Sequence, residues 1–106
     1  MGDDAVIIEG VDSPDSRASL YSSVHGAGRL FGRKEAKRRF IREQMDAWLQ
    51  ERSVTLVGGD LDESPMAYRR LPEVIAEHFN TIKVLHTLRP FAVAMAGSGE
   101  FDPFKD

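Results

Sequence analysis

One helix-period run set among short β-type runs restricts the fold most. Ala36, Phe40, Ile41, Met45, Trp48 and Leu49 follow one another at spacings of four, one, four, three and one. On a helix these positions share one face, so the spacing predicts a helix over about 33–51. The runs around it are of another kind. Ala5-Val6-Ile7-Ile8-Glu9-Gly10 reads as a short buried strand stopped by glycine. Val54-Thr55-Leu56-Val57 is a β-branched strand candidate closed by Gly58-Gly59. Residues 82–88 and 91–95 are strand-like, and 20–24 is expected to be extended. Asp12-Ser13-Pro14-Asp15-Ser16 has the chemistry of a loop, and 60–64 that of an acidic, solvated turn. Ser64-Pro65 opens a small helical turn, with serine as N-cap and proline at the first helical position. A second short helix is expected over 72–78. Interspersed strands and helices with short links predict the α+β class: mixed strands, one long basic amphipathic helix and short helices. A length of 106 residues predicts a single domain, 1–106.

Charge is distributed unevenly. The chain has 14 Lys and Arg against 17 Asp and Glu. Residues 29–42 hold seven of the basic residues and one acid, a net of +6. The remaining residues hold seven basic and sixteen acidic, a net of −9. A basic stripe on an acidic body is the footprint of a polyanion contact, or else a solvated helix face. With no cysteine the chain has no disulfide frame, thiolate metal site or thiol nucleophile. No apolar run comes near the roughly 20 residues of a membrane span. Met1-Gly2-Asp3-Asp4 is acidic, unlike a signal peptide, so a cytoplasmic location is expected.

The segment with most chemical content is His25-Gly26-Ala27-Gly28-Arg29. Three adjacent small residues let the backbone approach a ligand closely, and successive N–H groups in such a turn can cradle an anion. A helix expected just beyond adds its positive end. Arg29 can clamp phosphate oxygens bidentately. A neutral imidazole at His25 can attack phosphorus or move a proton. The competing reading is a tight glycine turn with a histidine that caps or packs. The segment lacks both the Gly-Lys-Ser/Thr of a Walker loop and the GxGxxG spacing. His78 reads as a core or rim residue, and His86 can face either way. Asp60, Asp62 and Glu63 read better as a solvent turn than as a cation site, and Tyr68 as a packed tyrosine.

Taken together, four ordered motifs resemble the RtcB-type RNA-splicing ligases. Ser23-Val24-His25-Gly26-Ala27-Gly28-Arg29, followed by Gly32-Arg33-Lys34-Glu35-Ala36-Lys37, is similar to the family's S-x-H-G-A-G-R run. Asp62-Glu63-Ser64-Pro65-Met66-Ala67-Tyr68 resembles its D-E-A-P-x-A-Y segment. Val84-Leu85-His86-Thr87-Leu88-Arg89-Pro90 resembles its V-x-H-T-L-R/K-P strand, and Met1-Gly2-Asp3 the inside of its S-M-G-D motif.

The resemblance implies joining of an RNA 3′-phosphate, or 2′,3′-cyclic phosphate, to a 5′-hydroxyl with GTP and Mn²⁺, as in tRNA splicing or RNA repair. It implies that His25 takes GMP covalently, that Gly26, Ala27 and Gly28 line the GMP site, and that Tyr68 contacts the nucleotide. Arg29, Arg33 and Lys37 are then candidate phosphate or RNA contacts, and RNA ends, including tRNA halves, are the expected partners. The family's proteins are several times longer, and their metal ligands lie upstream of these motifs. The chain is therefore expected to be the C-terminal portion of a larger RtcB-like fold. It should need the N-terminal portion as a partner, hold no metal itself and be inactive alone. The family's closing Lys-Gly is absent at Met95-Ala96-Gly97, so 98–106 is a divergent tail, in which Lys105 is the candidate substitute. Two alternatives stand beside this reading. One is a non-catalytic RNA- or nucleotide-binding module using the basic helix 33–42. The other is a fragment whose apolar face awaits a partner.

Overall fold

The structure is a computed structural model, and it describes residues 1–101, 103 and 104. Lys105 lies outside the described residues. The elements are those of a mixed α+β chain, as expected. They gather into two compact units.

The first unit comprises Met1–Gly2, Arg29–Tyr68 and Pro90–Asp106. The single helix expected over 33–51 is two helices, α2 (Arg33–Arg39) and α3 (Arg42–Glu51). Between them Phe40 (φ −109°, ψ 151°) and Ile41 (φ −115°, ψ 157°) are extended. Neither proline nor glycine causes the break. The Ile41 N–H donates to the Gln44 side chain at 3.0 Å, so α3 begins with the glutamine half of a capping box. The Phe40 ring meets Phe31 edge-on at 5.7 Å between centroids. The apolar face is shared out accordingly. Ala36 of α2 and Met45 and Leu49 of α3 are buried, whereas Ile41 is 55% exposed.

Val54 completes the core with Met45 and Leu49, and Met1, Trp48, Leu56 and Val93 pack against it. Strand β2 (Thr55–Gly58) runs parallel to β4 (Ala92–Met95), in register from Thr55 opposite Ala92 to Gly58 opposite Met95. Gly58 closes β2 at φ 74°, where a Cβ would overlap the Met95 carbonyl oxygen. Two 3₁₀ turns follow, Leu61–Glu63 and Pro65–Ala67.

The second unit comprises Asp3–Gly28 and Arg69–Arg89. Strand β1 (Ala5–Gly10) pairs antiparallel with β3 (Ile82–Leu88), with a register shift between Ile7 and Ile8. The strand is present, but it is not buried: Ile7 is 47% exposed. A two-stranded ribbon cannot enclose both of its faces. The expected loop at 12–16 is instead the start of helix α1 (Pro14–Ala18). The Ser13 hydroxyl accepts from the Ser16 amide at 3.1 Å, and Pro14 supplies a pre-set first position. Leu20 and Tyr21, expected to be extended, are left-handed at φ 56° and 55°. Their amides close the end of α1, on Arg17 O at 3.0 Å and Ser16 O at 2.7 Å. Helix α4 (Leu71–Glu77) completes the unit. Among the described residues no helix is long and apolar enough to cross a membrane.

Candidate functional site

In the second unit, residues 22–28 form no helix or strand. His25 and Gly26 are exposed on this irregular segment and Ala27 is half-buried. The segment is fixed at its end. Gly28 has φ 81°, and its carbonyl accepts from the Arg69 amide at 3.0 Å. A Cβ on Gly28 would lie 3.0 Å from an Arg69 guanidinium nitrogen, whereas a Cβ on Gly26 would meet nothing within 4 Å. The two glycines thus differ in role. Gly28 answers a backbone need, and a side chain at Gly26 would stand in open space. The helix beyond the glycines begins at Arg33, where it was expected, and before it Arg29 makes an isolated antiparallel bridge with Tyr68.

Asp3 anchors another part of the same unit. Its carboxylate accepts from the Arg70 guanidinium at 3.0 and 3.3 Å and from the Leu71 amide at 3.0 Å. Burial pushes the carboxyl up, but the bonds from Arg70, Leu71 and Asp4 outweigh it and hold the group below the usual carboxylate range. His78 is half-buried at the end of α4, its carbonyl taken by the Thr81 and Ile82 amides, which makes it a rim residue. His86 is exposed on β3 opposite Ile7.

In the first unit, Tyr68 sits at the centre of a charged node. The Arg29 guanidinium donates to the Tyr68 hydroxyl at 2.7 Å and lies over its ring, 4.7 Å from the centroid. The same guanidinium donates to Phe31 O at 3.0 Å and Asp62 O at 2.6 Å. The Tyr68 hydroxyl in turn donates to the Glu63 carboxylate. Burial first, and the bonded Glu63 carboxylate second, push the phenol up to about 12. Arg33 also bonds Glu63, and it bonds Asp62 at 3.0 Å.

Asp62 and Glu63 are therefore not the solvated turn expected from sequence: they are 2% and 6% exposed. Buried carboxylates require cations, and Arg29 and Arg33 supply them. Ser64 also departs from expectation. It is fully buried, and its hydroxyl turns back to Leu61 O at 2.7 Å instead of capping the next turn.

Lys37, Arg38, Arg39 and Arg42 of the basic stripe carry carboxylate partners as well. Lys37 meets Asp60 at 2.6 Å, a bond that holds its ammonium above the ordinary lysine range. Arg38 and Arg39 share Glu35, and Arg42 meets Asp46 at 3.1 Å. Lys37, Arg38, Arg39 and Arg42 remain exposed. Among the described residues no three His, Asp or Glu side chains converge as a metal-ligand set. The residues present thus do not fit the manganese that the resemblance implies.

An exposed histidine on a glycine-bearing loop, and a tyrosine held between Arg29 and Glu63, both sit inside motifs shared with one class of protein, the RNA ligases. The profile of the tRNA-splicing ligase RtcB matches residues 1–96, and the chain belongs to the RtcB family. It is 32% identical over 89 residues to the RNA-splicing ligase RtcB1 of Escherichia coli strain ATCC 25922. The same identity holds for the RNA-splicing ligase RtcB of Escherichia coli strain K12. The aligned stretch is 84% of this chain and 21% of each relative, so the chain spans about a fifth of their length.

Proposed function

We propose that the chain is the nucleotide-accepting portion of a GTP-dependent RNA ligase. In this reading a neutral His25 nitrogen attacks the α-phosphorus of GTP, a phosphorus–nitrogen bond forms, and pyrophosphate leaves. The GMP then passes to an RNA 3′-phosphate, from which a 5′-hydroxyl displaces it. Gly26, Ala27 and Gly28 seat the phosphate, Tyr68 contacts the nucleotide, and the exposed basic residues with Arg33 and Lys37 face RNA phosphates. The remainder of such a ligase supplies the manganese ligands.

The observation that carries the reading is the exposed His25 beside Gly26, where a side chain would meet nothing, inside a span that matches the ligase profile. A phosphoryl group needs both features, an accessible imidazole and a backbone it can approach. The alternative, a non-catalytic binding module using the helix face 33–42, is less favoured, because it leaves the exposed His25 beside Gly26 without a role.

The test is a chimera in which this chain replaces the matching segment of the strain K12 relative. Supplied with GTP, Mn²⁺ and RNA ends bearing a 3′-phosphate and a 5′-hydroxyl, it should join them. His25→Ala should abolish joining, and the chain alone should not join. A His25→Ala chimera that still seals RNA would overturn the reading.

A further inference from the structure

We infer that Arg39 is a stacking site for an unpaired base of the RNA substrate, its guanidinium backed by the Phe31 ring, with Arg38 beside it on the phosphate backbone. The inference rests on the proposed reading that RNA is the partner. It narrows the RNA face of the first unit to one corner, the end of α2.

The break after Arg39 builds this corner. Arg39 is the last residue of α2, and the extended Phe40 that follows meets the Phe31 ring edge-on at 5.7 Å between centroids. The Arg39 guanidinium lies over the Phe31 ring, 4.3 Å from its centroid. It also donates to Glu35, one turn back, at 3.4 Å. The ring and the carboxylate together orient the planar group, yet the Arg39 side chain is 52% exposed. Such a group is a flat platform open to solvent. Unpaired RNA bases stack on guanidinium planes as they do on aromatic rings.

The charge of the corner favours the same ligand. Arg38 donates to the same Glu35 carboxylate at 2.5 Å, and its side chain is 76% exposed. Two guanidinium groups against one carboxylate leave a net positive charge. Surface pairs of this kind are weak, so a phosphate oxygen displaces Glu35 from Arg38 at little cost. In a duplex the base faces are covered by their stacked neighbours, so the corner takes unpaired RNA. Stacking tolerates any base, so it takes that RNA without reading its sequence.

The test is fluorescence anisotropy of the full chain with a labelled unpaired RNA oligonucleotide, the same oligonucleotide carrying abasic sites, and its duplex. The unpaired, base-bearing RNA should bind tightest. Arg39→Lys keeps the charge and removes the plane. It should weaken the unpaired RNA by roughly 5-fold or more, the low end for one lost stack, and move the abasic and duplex probes by less than about 2-fold. Its slope of log K against log salt should match the parent's. Arg38→Gln should instead weaken the unpaired and abasic probes alike and flatten that slope by roughly 0.7, one phosphate contact on a single strand. Phe31→Tyr should keep the stack. Phe31→Leu should reproduce part of the Arg39→Lys loss and add nothing in the Arg39→Lys background, which a merely structural role would not produce. Phe31 is half-buried, so Arg39→Lys, at an exposed position, decides the question if Phe31→Leu fails to fold. Parent-strength binding of unpaired RNA by Arg39→Lys would overturn the inference. So would an equal loss on the abasic probe, or an unsubstituted chain that binds no RNA. Covalent labelling of His25 in the ligase chimera separates the two failures. A labelled chimera without the Arg39 effect loses this inference alone, and an unlabelled chimera with that effect loses the histidine chemistry alone.

Discussion

Gly26 and Gly28 separate what the fold requires from what a phosphate would require. Gly26→Ala places its Cβ where nothing lies within 4 Å, and Gly26 does not have a left-handed backbone. The substitution should leave the folded unit intact. It should add about 0.4–1 kcal/mol of stability by narrowing the unfolded ensemble. Gly28→Ala is different. At φ 81° an alanine costs about 1–2 kcal/mol of left-handed strain. Its 3.0 Å approach to Arg69 adds little, because that neighbour is the far end of a flexible side chain. A local reporter exists in the Arg69 amide, which donates to Gly28 O at 3.0 Å. Hydrogen exchange of that amide should be roughly 5- to 30-fold faster in Gly28→Ala and unchanged in Gly26→Ala. Covalent labelling by GTP in the ligase chimera should follow another order. If phosphate sits against the Gly26 backbone, the new methyl displaces it by on the order of 1 Å, a misplacement that costs about 10²-fold in rate. Gly26→Ala should therefore fold at least as well as the parent and label far more slowly. Labelling at the parent rate by a folded Gly26→Ala protein would refute the claim that this backbone seats the phosphate.

Three further outcomes follow from the packing and the charges. Met45→Ala, at a fully buried position of the first unit, should cost about 2–5 kcal/mol, read by urea unfolding followed through Trp48 fluorescence. Asp3 is held below its ordinary value of 3.8, so its contribution is present above that pH and is lost as pH falls through the lower folded value; Asp3→Asn should flatten the acid limb of the stability–pH curve. The Tyr68 phenol is raised from 10.0 to about 12, so its contribution is complete below pH 10 and disappears as pH rises through 12. Phenolate absorbance should show Tyr68 ionising near 12 in the parent and at lower pH in Glu63→Gln.

The sequence made the strands, the α4 helix and the burial of Met45 and Leu49 legible, because short β-branched apolar runs and period-3.6 apolar patterns survive any tertiary arrangement. It did not reveal the break at Phe40-Ile41. The apolar positions keep helical spacing across it, and the only local mark is Gln44 three residues after an isoleucine, without the usual serine or threonine partner. Leu20 and Tyr21 were misread because aromatic and aliphatic residues rarely take left-handed angles, and only the closing of α1 requires them here. At the candidate site, the histidine and its small neighbours were visible as residue types. The ion-pair node was not. Burial of Asp62 and Glu63 depends on Arg29 and Arg33, some thirty residues away, and linear patterns do not encode such pairings.

The proposed ligase chemistry depends on the His25 imidazole receiving a nucleotide. In the ligase chimera, incubated with GTP and Mn²⁺ and then digested at neutral to alkaline pH, mass spectrometry should find GMP on the peptide containing His25. The adduct should be acid-labile and absent from His25→Ala. GMP carried by any other residue, or none on a chimera that still joins RNA, would contradict the account.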